Sequence, residues 1–291
     1  MYPILLEIGG IKLPSYAVLM ALGYLVALFT IRLIVPPRAS STVPAFHRTQ
    51  AFDLFIVMLV ASLVGAKWGH VLFEAPGHIG RDGQMINSVY ELLRDDPWHW
   101  LRLDDPGYVW YGGMLGGLVV AVFYFRARPK LDPWLYSDAF TPAIMTGAAV
   151  GRLGCFLGGC CYGVPTEMPW GFVFPGMTHA VHPTQLYDAA IAAVLGFGLL
   201  YRFPRRRFDG ESIAILLMAY PVLRALTESV RGDPERGFLG PLSTSQLISI
   251  PLFLIGLGLY ISRTRTAGPA TVPTTRPMAS AEPPSQAPAP S

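Results

Sequence analysis

Seven apolar stretches, each about as long as a membrane is thick, constrain this chain more than any other feature. A helix needs about 20 mostly apolar residues to cross the hydrocarbon core of a bilayer. The stretches lie at Tyr16–Val35, Ala51–Phe73, Val109–Phe125, Ser137–Cys160, Thr184–Tyr201, Ser212–Val230 and Ser245–Ser262. We therefore predict an all-α fold, a polytopic membrane bundle of about seven transmembrane helices.

The low charge content points the same way. Charged residues make up 14% of the 291 residues and hydrophobic residues 52%, whereas a soluble domain carries about 25% charged residues. So little charge cannot cover a water-exposed surface, which excludes a soluble enzyme and a disordered protein. The net charge of +3 gives no basic footprint, so we expect no nucleic-acid partner.

Basic residues in the loops set the expected orientation, because loops rich in Lys and Arg stay in the cytoplasm. Most of them fall on one side, namely Arg32, Arg38, Arg48, Arg126, Arg128, Lys130, Arg202, Arg205, Arg206, Arg207, Arg263, Arg265 and Arg276. The opposite side holds fewer, namely Lys12, Arg81, Arg94, Arg102, Arg231 and Arg236. This distribution predicts an outer N-terminus and a cytoplasmic C-terminus.

The chain divides into a membrane domain and a tail. We predict a transmembrane domain over residues 1–263, with an outer loop at 74–108, and a disordered cytoplasmic tail rich in Pro and Ala over 264–291. The segment Met1–Pro14 has neither a basic region nor a small-residue cleavage site, so we expect no cleaved signal peptide.

The sixth apolar stretch carries the first candidate site. Tyr220, Arg224 and Glu228 recur every four residues and Arg231 follows, which predicts one polar helix face. A charge inside a span costs at least about 2.5–3.5 kcal/mol and usually serves a function. Two arginines beside one carboxylate leave a positive charge for an anion; the alternative is a structural ion pair that joins helices.

The fourth stretch carries a second arginine among small residues. Arg152 stands in the segment Gly151–Gly163 and has no acidic residue within its own helical turn. Its partner must therefore lie on another helix or on a ligand. A guanidinium group is well suited to phosphate, which it can bind through two parallel hydrogen bonds. The alternative is a glycine-rich packing seam with an arginine that reaches the membrane surface.

Two further motifs lie at the starts of spans. In His182–Asp188 we expect Thr184 to cap the helix, and Gln185 and Tyr187 to donate to a ligand or to the backbone. The motif also has a purely structural interpretation, as the start of a helix. The glycines of Tyr111–Gly117 favour tight helix packing or the wall of a cavity.

The three cysteines, Cys155, Cys160 and Cys161, do not form a disulfide framework. Together with His179 and His182, the adjacent pair could supply four metal ligands, but this spacing matches no zinc pattern. We therefore predict no metal, and inert thiols or one disulfide with a remaining thiol.

Several of these motifs together resemble the bacterial prolipoprotein diacylglyceryl transferases. The resemblance covers most of Pro14–Tyr260. It rests on Gly151–Gly154 followed by Phe156 and Gly163, on His182–Tyr187, on the face Tyr220, Arg224, Glu228 and Arg231, on Ser245–Pro251, and on Tyr16 with Gly23.

The resemblance implies a multi-pass enzyme of the bacterial cytoplasmic (inner) membrane with an outer N-terminus. Such enzymes transfer the diacylglyceryl group of phosphatidylglycerol to the lipobox cysteine of a preprolipoprotein. A thioether forms at the sulfur and glycerol phosphate leaves. The implied partners are phosphatidylglycerol, preprolipoprotein signal peptides and the bilayer, and neither a metal nor an organic cofactor is implied.

The resemblance also implies residue roles. Arg152 and Arg224 would bind the phosphate, Glu228 would orient Arg224, and Tyr16 and Tyr220 would complete the polar cavity. The catalytic residues expected on this basis are Tyr111, Arg152, Arg224, Glu228 and Tyr220. The substrate-binding residues expected are Arg152, Tyr16, Gly154, Gly163, His182, Gln185 and Arg231.

The chain departs from the family pattern at three positions. It has Tyr111 where the family usually has His, Cys155 where it usually has Asn, and Lys67 where it usually has Arg. A tyrosine with a pKa near 10 is a poor base at pH 7, so arginines would have to activate Tyr111, or another group such as His182 would have to serve. The alternatives to the transferase are a paralogue that binds phospholipid without catalysis or with another acceptor, and an anion transporter.

Overall fold

The computed structural model describes residues 4–8, 11–36, 46–73, 98, 109–231, 238–239 and 242–271. Within these ranges the chain forms seven α-helices and a short 3-10 turn at Phe203–Arg205. The helices are α1 (Ser15–Ile34), α2 (Arg48–Phe73), α3 (Trp110–Arg126), α4 (Pro133–Gly158), α5 (Thr184–Arg202), α6 (Glu211–Glu228) and α7 (Thr244–Thr266). Each predicted span coincides with one of them.

Five helices, α1, α2, α4, α5 and α7, are long and apolar enough to cross a membrane. The apolar helix α3 is shorter, and α6 carries Glu211, Arg224 and Glu228 among its 18 residues. The prediction of a helical fold with several membrane-crossing segments is therefore confirmed. The predicted outer loop, apart from Trp98, and residues 272–291 of the predicted tail lie outside the described residues.

Two short β-hairpins accompany the helices, and the sequence did not predict them. Strand β1 (Ile4–Ile8) pairs antiparallel with β2 (Ile11–Pro14), which runs directly into α1. Strand β3 (Phe238–Leu239) pairs antiparallel with β4 (Leu242–Ser243), directly before α7. Each hairpin thus fixes how the chain approaches the helix that follows it.

The described residues belong to two units, Met1–Arg48 with Pro133–Ser291, and Thr49–Asp132. In the first unit α1 and α5 both pack along α4, and α6 packs along α7. Helix α6 also contacts α4 and α5. Helices α4, α5 and α6 therefore meet one another inside the first unit, and all three carry charged residues of the candidate site.

Glycines allow the closest helix contacts in each unit. In the first unit, a Cβ atom on Gly23 of α1 would lie 2.7 Å from the carbonyl oxygen of Gly147 in α4. In the second unit, a Cβ on Gly112 of α3 would collide with the carbonyl of Gly65 in α2. The glycines of the Tyr111–Gly117 motif thus serve tight packing, one of the two expected roles.

A buried carboxylate fixes the start of α6 against α4. Asp138, fully buried in α4, accepts hydrogen bonds from the backbone N–H groups of Gly210 (2.8 Å) and Ile213 (3.1 Å). These bonds satisfy N–H groups that a helix start leaves free. The buried guanidinium of Arg206 lies 3.3 Å from the same carboxylate and compensates its charge.

The C-terminal end of α7 extends into the predicted tail. The helix ends at Thr266, and the backbone N–H groups of Ala270 and Thr271 donate to the Arg207 carbonyl and the Asp209 carboxylate. Residues 264–271 therefore pack against the connection between α5 and α6.

Candidate functional site

Three arginines and two carboxylates converge from α4, α5 and the end of α6. Arg152 and Arg231 each place a guanidinium nitrogen 3.5 Å from Oδ2 of Asp188. Arg224 forms a closer ion pair with Glu228, at 2.8 Å. The pairing of Arg224 with Glu228 and the partner of Arg152 on another helix both agree with the sequence analysis.

Thr227 links these two ion pairs. Arg224 donates a hydrogen bond to the Thr227 hydroxyl, and that hydroxyl lies 3.1 Å from Oδ1 of Asp188, to which it can donate. All three arginines are thereby tied directly or through one hydroxyl to the same carboxylate. This cluster lies within the first unit.

The charges of the cluster do not cancel. Among the residues that the structure describes, Arg152, Arg224 and Arg231 against Asp188 and Glu228 leave one net positive charge. The Oδ2 atom of Asp188 is buried and accepts no hydrogen bond from the described residues. At 3.5 Å the contact of Arg152 with Asp188 is longer than a hydrogen bond to a charged group, so an arriving anion can compete for Arg152.

Arg152 is the arginine most open to a ligand. Its side chain is 28% exposed, compared with 11% for Arg224 and 4% for Arg231. The hydroxyl of Tyr220 lies within electrostatic reach of both Arg152 and Arg224. Tyr16 of α1 packs against Gly154 and Gly158 on the helix that carries Arg152 and is 46% exposed.

Arg231 lies beyond the end of α6, and not on the helix face where the sequence spacing placed it. Helix α6 ends at Glu228, and Arg231 forms an antiparallel β-bridge with Gly163. A Cβ atom on Gly163 would collide with the Val230 carbonyl and lie 2.7 Å from the Cβ of His182. Gly163, expected to bind substrate, therefore allows the close approach of two chain segments that positions Arg231.

The two residues after Pro183 hold the end of the cysteine segment. The Thr184 hydroxyl donates to the Cys161 carbonyl (2.7 Å), and the Gln185 amide donates to the Cys160 carbonyl. The expectation that Thr184 caps α5 is wrong, because Pro183 is the cap residue and no side chain bonds there. The donation of Gln185 to backbone agrees with one of its expected roles.

His182 belongs to a separate hydrogen-bond chain. Its Nδ1 atom lies 3.1 Å from the Tyr187 hydroxyl, whose oxygen accepts a hydrogen bond from the Trp170 indole (2.8 Å). Because an indole only donates, the hydroxyl hydrogen is free to point at Nδ1. His182 is thus oriented by Tyr187, and its use as a base stays a prediction.

Comparison with known proteins identifies the site's context. The sequence model of the family described as prolipoprotein diacylglyceryl transferase matches residues 3–262. A protein named phosphatidylglycerol–prolipoprotein diacylglyceryl transferase from Clostridium tetani is 30% identical over 266 residues, which cover 90% of this chain and 96% of that protein. Proteins of the same name are 31% identical in Bordetella bronchiseptica (90% and 95% covered) and 33% in Paracidovorax citrulli (89% and 94%).

This chain belongs to the prolipoprotein diacylglyceryl transferase family. It is accordingly a transferase of lipoprotein biosynthesis, and its apolar helices fit a membrane protein. The resemblance predicted from the sequence motifs is confirmed.

Two of the three positions that depart from the family pattern lie in the second unit. Tyr111 is the second residue of α3 and is 41% exposed, and Lys67 is buried in α2. The catalytic role expected of Tyr111 stays a prediction. The third, Cys155, lies in the last turn of α4, one turn after Arg152.

Sequence reasoning missed Asp188 as a site residue. The motif His182–Asp188 predicted a helix start, and no role was assigned to Asp188. The signal was present, because Asp188 is an ionisable residue inside a predicted span, the same criterion that identified Arg152 and Arg224. What the sequence could not show is that Arg152 and Arg231 contact this one carboxylate directly and Arg224 through Thr227.

Proposed function

We propose that this protein transfers the diacylglyceryl group of phosphatidylglycerol to the lipobox cysteine of preprolipoproteins. Its relatives are named phosphatidylglycerol–prolipoprotein diacylglyceryl transferases. The observation that carries the proposal is the group of Arg152, Arg224 and Arg231 around Asp188, in which three guanidinium groups face two carboxylates among the described residues. Phosphatidylglycerol bears one negative charge on its phosphate. A cluster with more guanidinium groups than carboxylates matches the negative charge of this headgroup.

The reaction is a substitution at carbon, and charge develops on the phosphate. The cysteine thiolate attacks the glycerol carbon that bears the phosphate, a C–S bond forms, and the C–O bond breaks. The electron pair of that bond leaves with glycerol phosphate, which becomes a dianion, and the thiol proton is released. Stabilising the added charge lowers the barrier most where donors are already in place.

The residue roles follow from exposure and pairing. Arg152, the most exposed of the three, takes a phosphate oxygen, and Arg224, oriented by Glu228, takes a second. Arg231 and Asp188 position this pair, and Tyr220 and Tyr16 provide polar groups beside it. Gly154 lets Tyr16 approach the helix of Arg152. Gly163, Gln185 and His182 shape the surrounding chain.

The topology is part of the proposal. Seven helices cross the bacterial cytoplasmic membrane, the N-terminus lies outside and the C-terminus inside. The shorter α3 and the charged α6 cross as members of the bundle, since ionisable residues in a span are tolerated when they face its interior. The positive residues near the connection between α5 and α6 and near the end of α7 support a cytoplasmic side there.

The test is conversion of a lipobox substrate. Purified full-length protein is mixed with phosphatidylglycerol and a lipobox peptide, and the mass gain of the peptide is followed. We expect conversion by the wild type, and a loss in kcat/KM of about 10²–10³-fold for Arg152→Ala, the effect of removing a charge-stabilising donor. Arg265→Ala, at an exposed position near the end of α7, is the matched control and should retain activity.

The outcomes separate the alternatives. Binding of phosphatidylglycerol without conversion by well-folded wild type would contradict the transferase and favour a lipid-binding paralogue. Equal activity of Arg152→Ala and Arg265→Ala would contradict the phosphate-binding role of Arg152.

A further inference from the structure

All three cysteines of the chain come together in space. The Sγ atoms of Cys155, Cys160 and Cys161 all lie within 4.8 Å of one another, and those of Cys160 and Cys161 are 3.4 Å apart. The three thiols are free. Cys155 is buried, whereas Cys160 is exposed, so the group can be reached from outside.

The turn after α4 produces this convergence. Cys155 lies in the last helical turn, and Gly159 (φ +76°) and Cys161 (φ +64°) then reverse the chain in left-handed conformations. Among the described residues Cys161 is the only non-glycine with positive φ. That conformation costs about 1–3 kcal/mol and persists only where the surroundings impose it.

Helix α5 supplies what holds the turn in place. Thr184 and Gln185, both fully buried, donate to the carbonyls of Cys161 and Cys160. The backbone N–H of Cys160 in turn donates to the carbonyl of Cys155. The thiols therefore stand on a backbone that is fixed from two helices before any ligand arrives.

We propose that Cys155, Cys160 and Cys161 bind one thiophilic metal ion, Zn²⁺ or Cu⁺, through their three sulfur atoms. A metal–sulfur distance of about 2.3 Å requires sulfur atoms about 4 Å apart, and soft thiolates select these ions. The observed spacing meets that requirement with small side-chain rotations. Binding releases the thiol protons, so three thiolates face one cation.

The ligand set differs from the one that sequence spacing suggested. His179 and His182 are not part of the cluster, which takes its third ligand from the end of α4 instead. The prediction of no metal rested on the spacing of the cysteine pair and those histidines, which matches no zinc pattern, and on the awkward ligation of one ion by adjacent cysteines. The tertiary structure adds Cys155, five residues before the pair, which a helix end and a reversed turn bring back to it.

The charges nearby favour a bound thiolate cluster. Three thiolates with Zn²⁺ carry one net negative charge, and with Cu⁺ two. Arg152 stands one helical turn before Cys155, and the charges of Arg231 and Arg152 both reach Cys161. These two guanidinium groups thus lie where they favour a cluster of negative charge.

Metal binding is tested without any catalytic assay. Reduced, metal-free full-length protein in detergent is titrated with Zn²⁺ and, under anaerobic conditions, with Cu⁺, each against a competing chelator. We expect one ion per chain and, by X-ray absorption, three sulfur ligands at about 2.3 Å. Cys155→Ser and Cys161→Ser should each weaken binding more than about 100-fold, beyond the effect of a residue outside the ligand shell.

His179→Ala is the matched control, since it removes a possible ligand outside the cluster. Unchanged affinity in this variant, with tight binding by the wild type, supports the three-thiol site. Equal affinity of wild type and the triple Cys→Ser variant, or fewer than two sulfur ligands in the spectrum, overturns it. Elution of each variant as wild type from a sizing column controls for folding.

Discussion

Asp188 determines the electrostatics of the candidate site at the scale of single residues. It faces Arg152 and Arg231 directly and reaches Arg224 through Thr227. Without it, the three guanidinium groups that lie close together would have one negative charge fewer to compensate them. Asp188 therefore acts as a positioning residue, through the arginines rather than on the substrate.

The first prediction concerns the charge of Asp188. Asp188→Asn keeps the shape but removes the charge, so Arg152 and Arg231 lose the common partner that orients them. We expect kcat for lipobox conversion to fall about 10²-fold, since small displacements of positioned groups have effects of this size. The KM for phosphatidylglycerol should change much less, because the net positive charge rises.

Glu167→Gln provides the control, as it makes the same chemical change at an exposed position. A rise in KM with unchanged kcat in Asp188→Asn would mean that Asp188 affects lipid binding alone and would contradict the positioning role.

At the scale of helices and strands, the closest contacts between helices are made at glycines. The sequence predicted each helix from its apolar length, because that property belongs to one segment at a time. The hairpins β1–β2 and β3–β4 escaped prediction, since strands this short carry no clear alternation of apolar and polar residues. Which glycines face a neighbouring helix also depends on the partner, so it became visible only in the fold.

The second prediction tests the contact between α1 and α4. Gly23→Ala places a methyl group 2.7 Å from the Gly147 carbonyl, so the helices must separate. We expect a loss of about 1–3 kcal/mol in stability, the usual cost of overpacking, measured as a lower midpoint of thermal unfolding in detergent. Gly198→Ala, where no atom lies within 4 Å of the new methyl group, should leave the midpoint unchanged or raise it. Similar midpoints for the two variants would argue against close α1–α4 packing.

At the scale of the whole molecule, the distribution of charge governs how the chain sits in the bilayer. Basic residues crowd the connection between α5 and α6 and the end of α7, whereas Arg231 is drawn into an ion pair with Asp188. Basic residues at the membrane surface orient a chain, and one that is paired inside the bundle does not. Arg206 is paired in the same way, and without Arg206 and Arg231 the basic residues still lie mainly on the side that is predicted to be cytoplasmic.

The third prediction follows from that asymmetry. A reporter that is active only outside the cytoplasm should be inactive when fused after Phe208 and active when fused after Arg231. A cytoplasmic reporter fused after Thr271 should be active. Activity of the outside reporter at both Phe208 and Arg231 would show that α6 does not cross the membrane.

The sequence alone decided the properties that follow from composition along one segment: a helical membrane fold, the positions of the helices, and which arginines stand inside the apolar stretches. It also supported the family, because the motifs around Arg152, His182 and Arg224 are local. The tertiary structure alone decided which charges meet, with Asp188 at the centre, and that three thiols share one small volume. These facts depend on distances between helices far apart in the chain, and such distances arise only from packing.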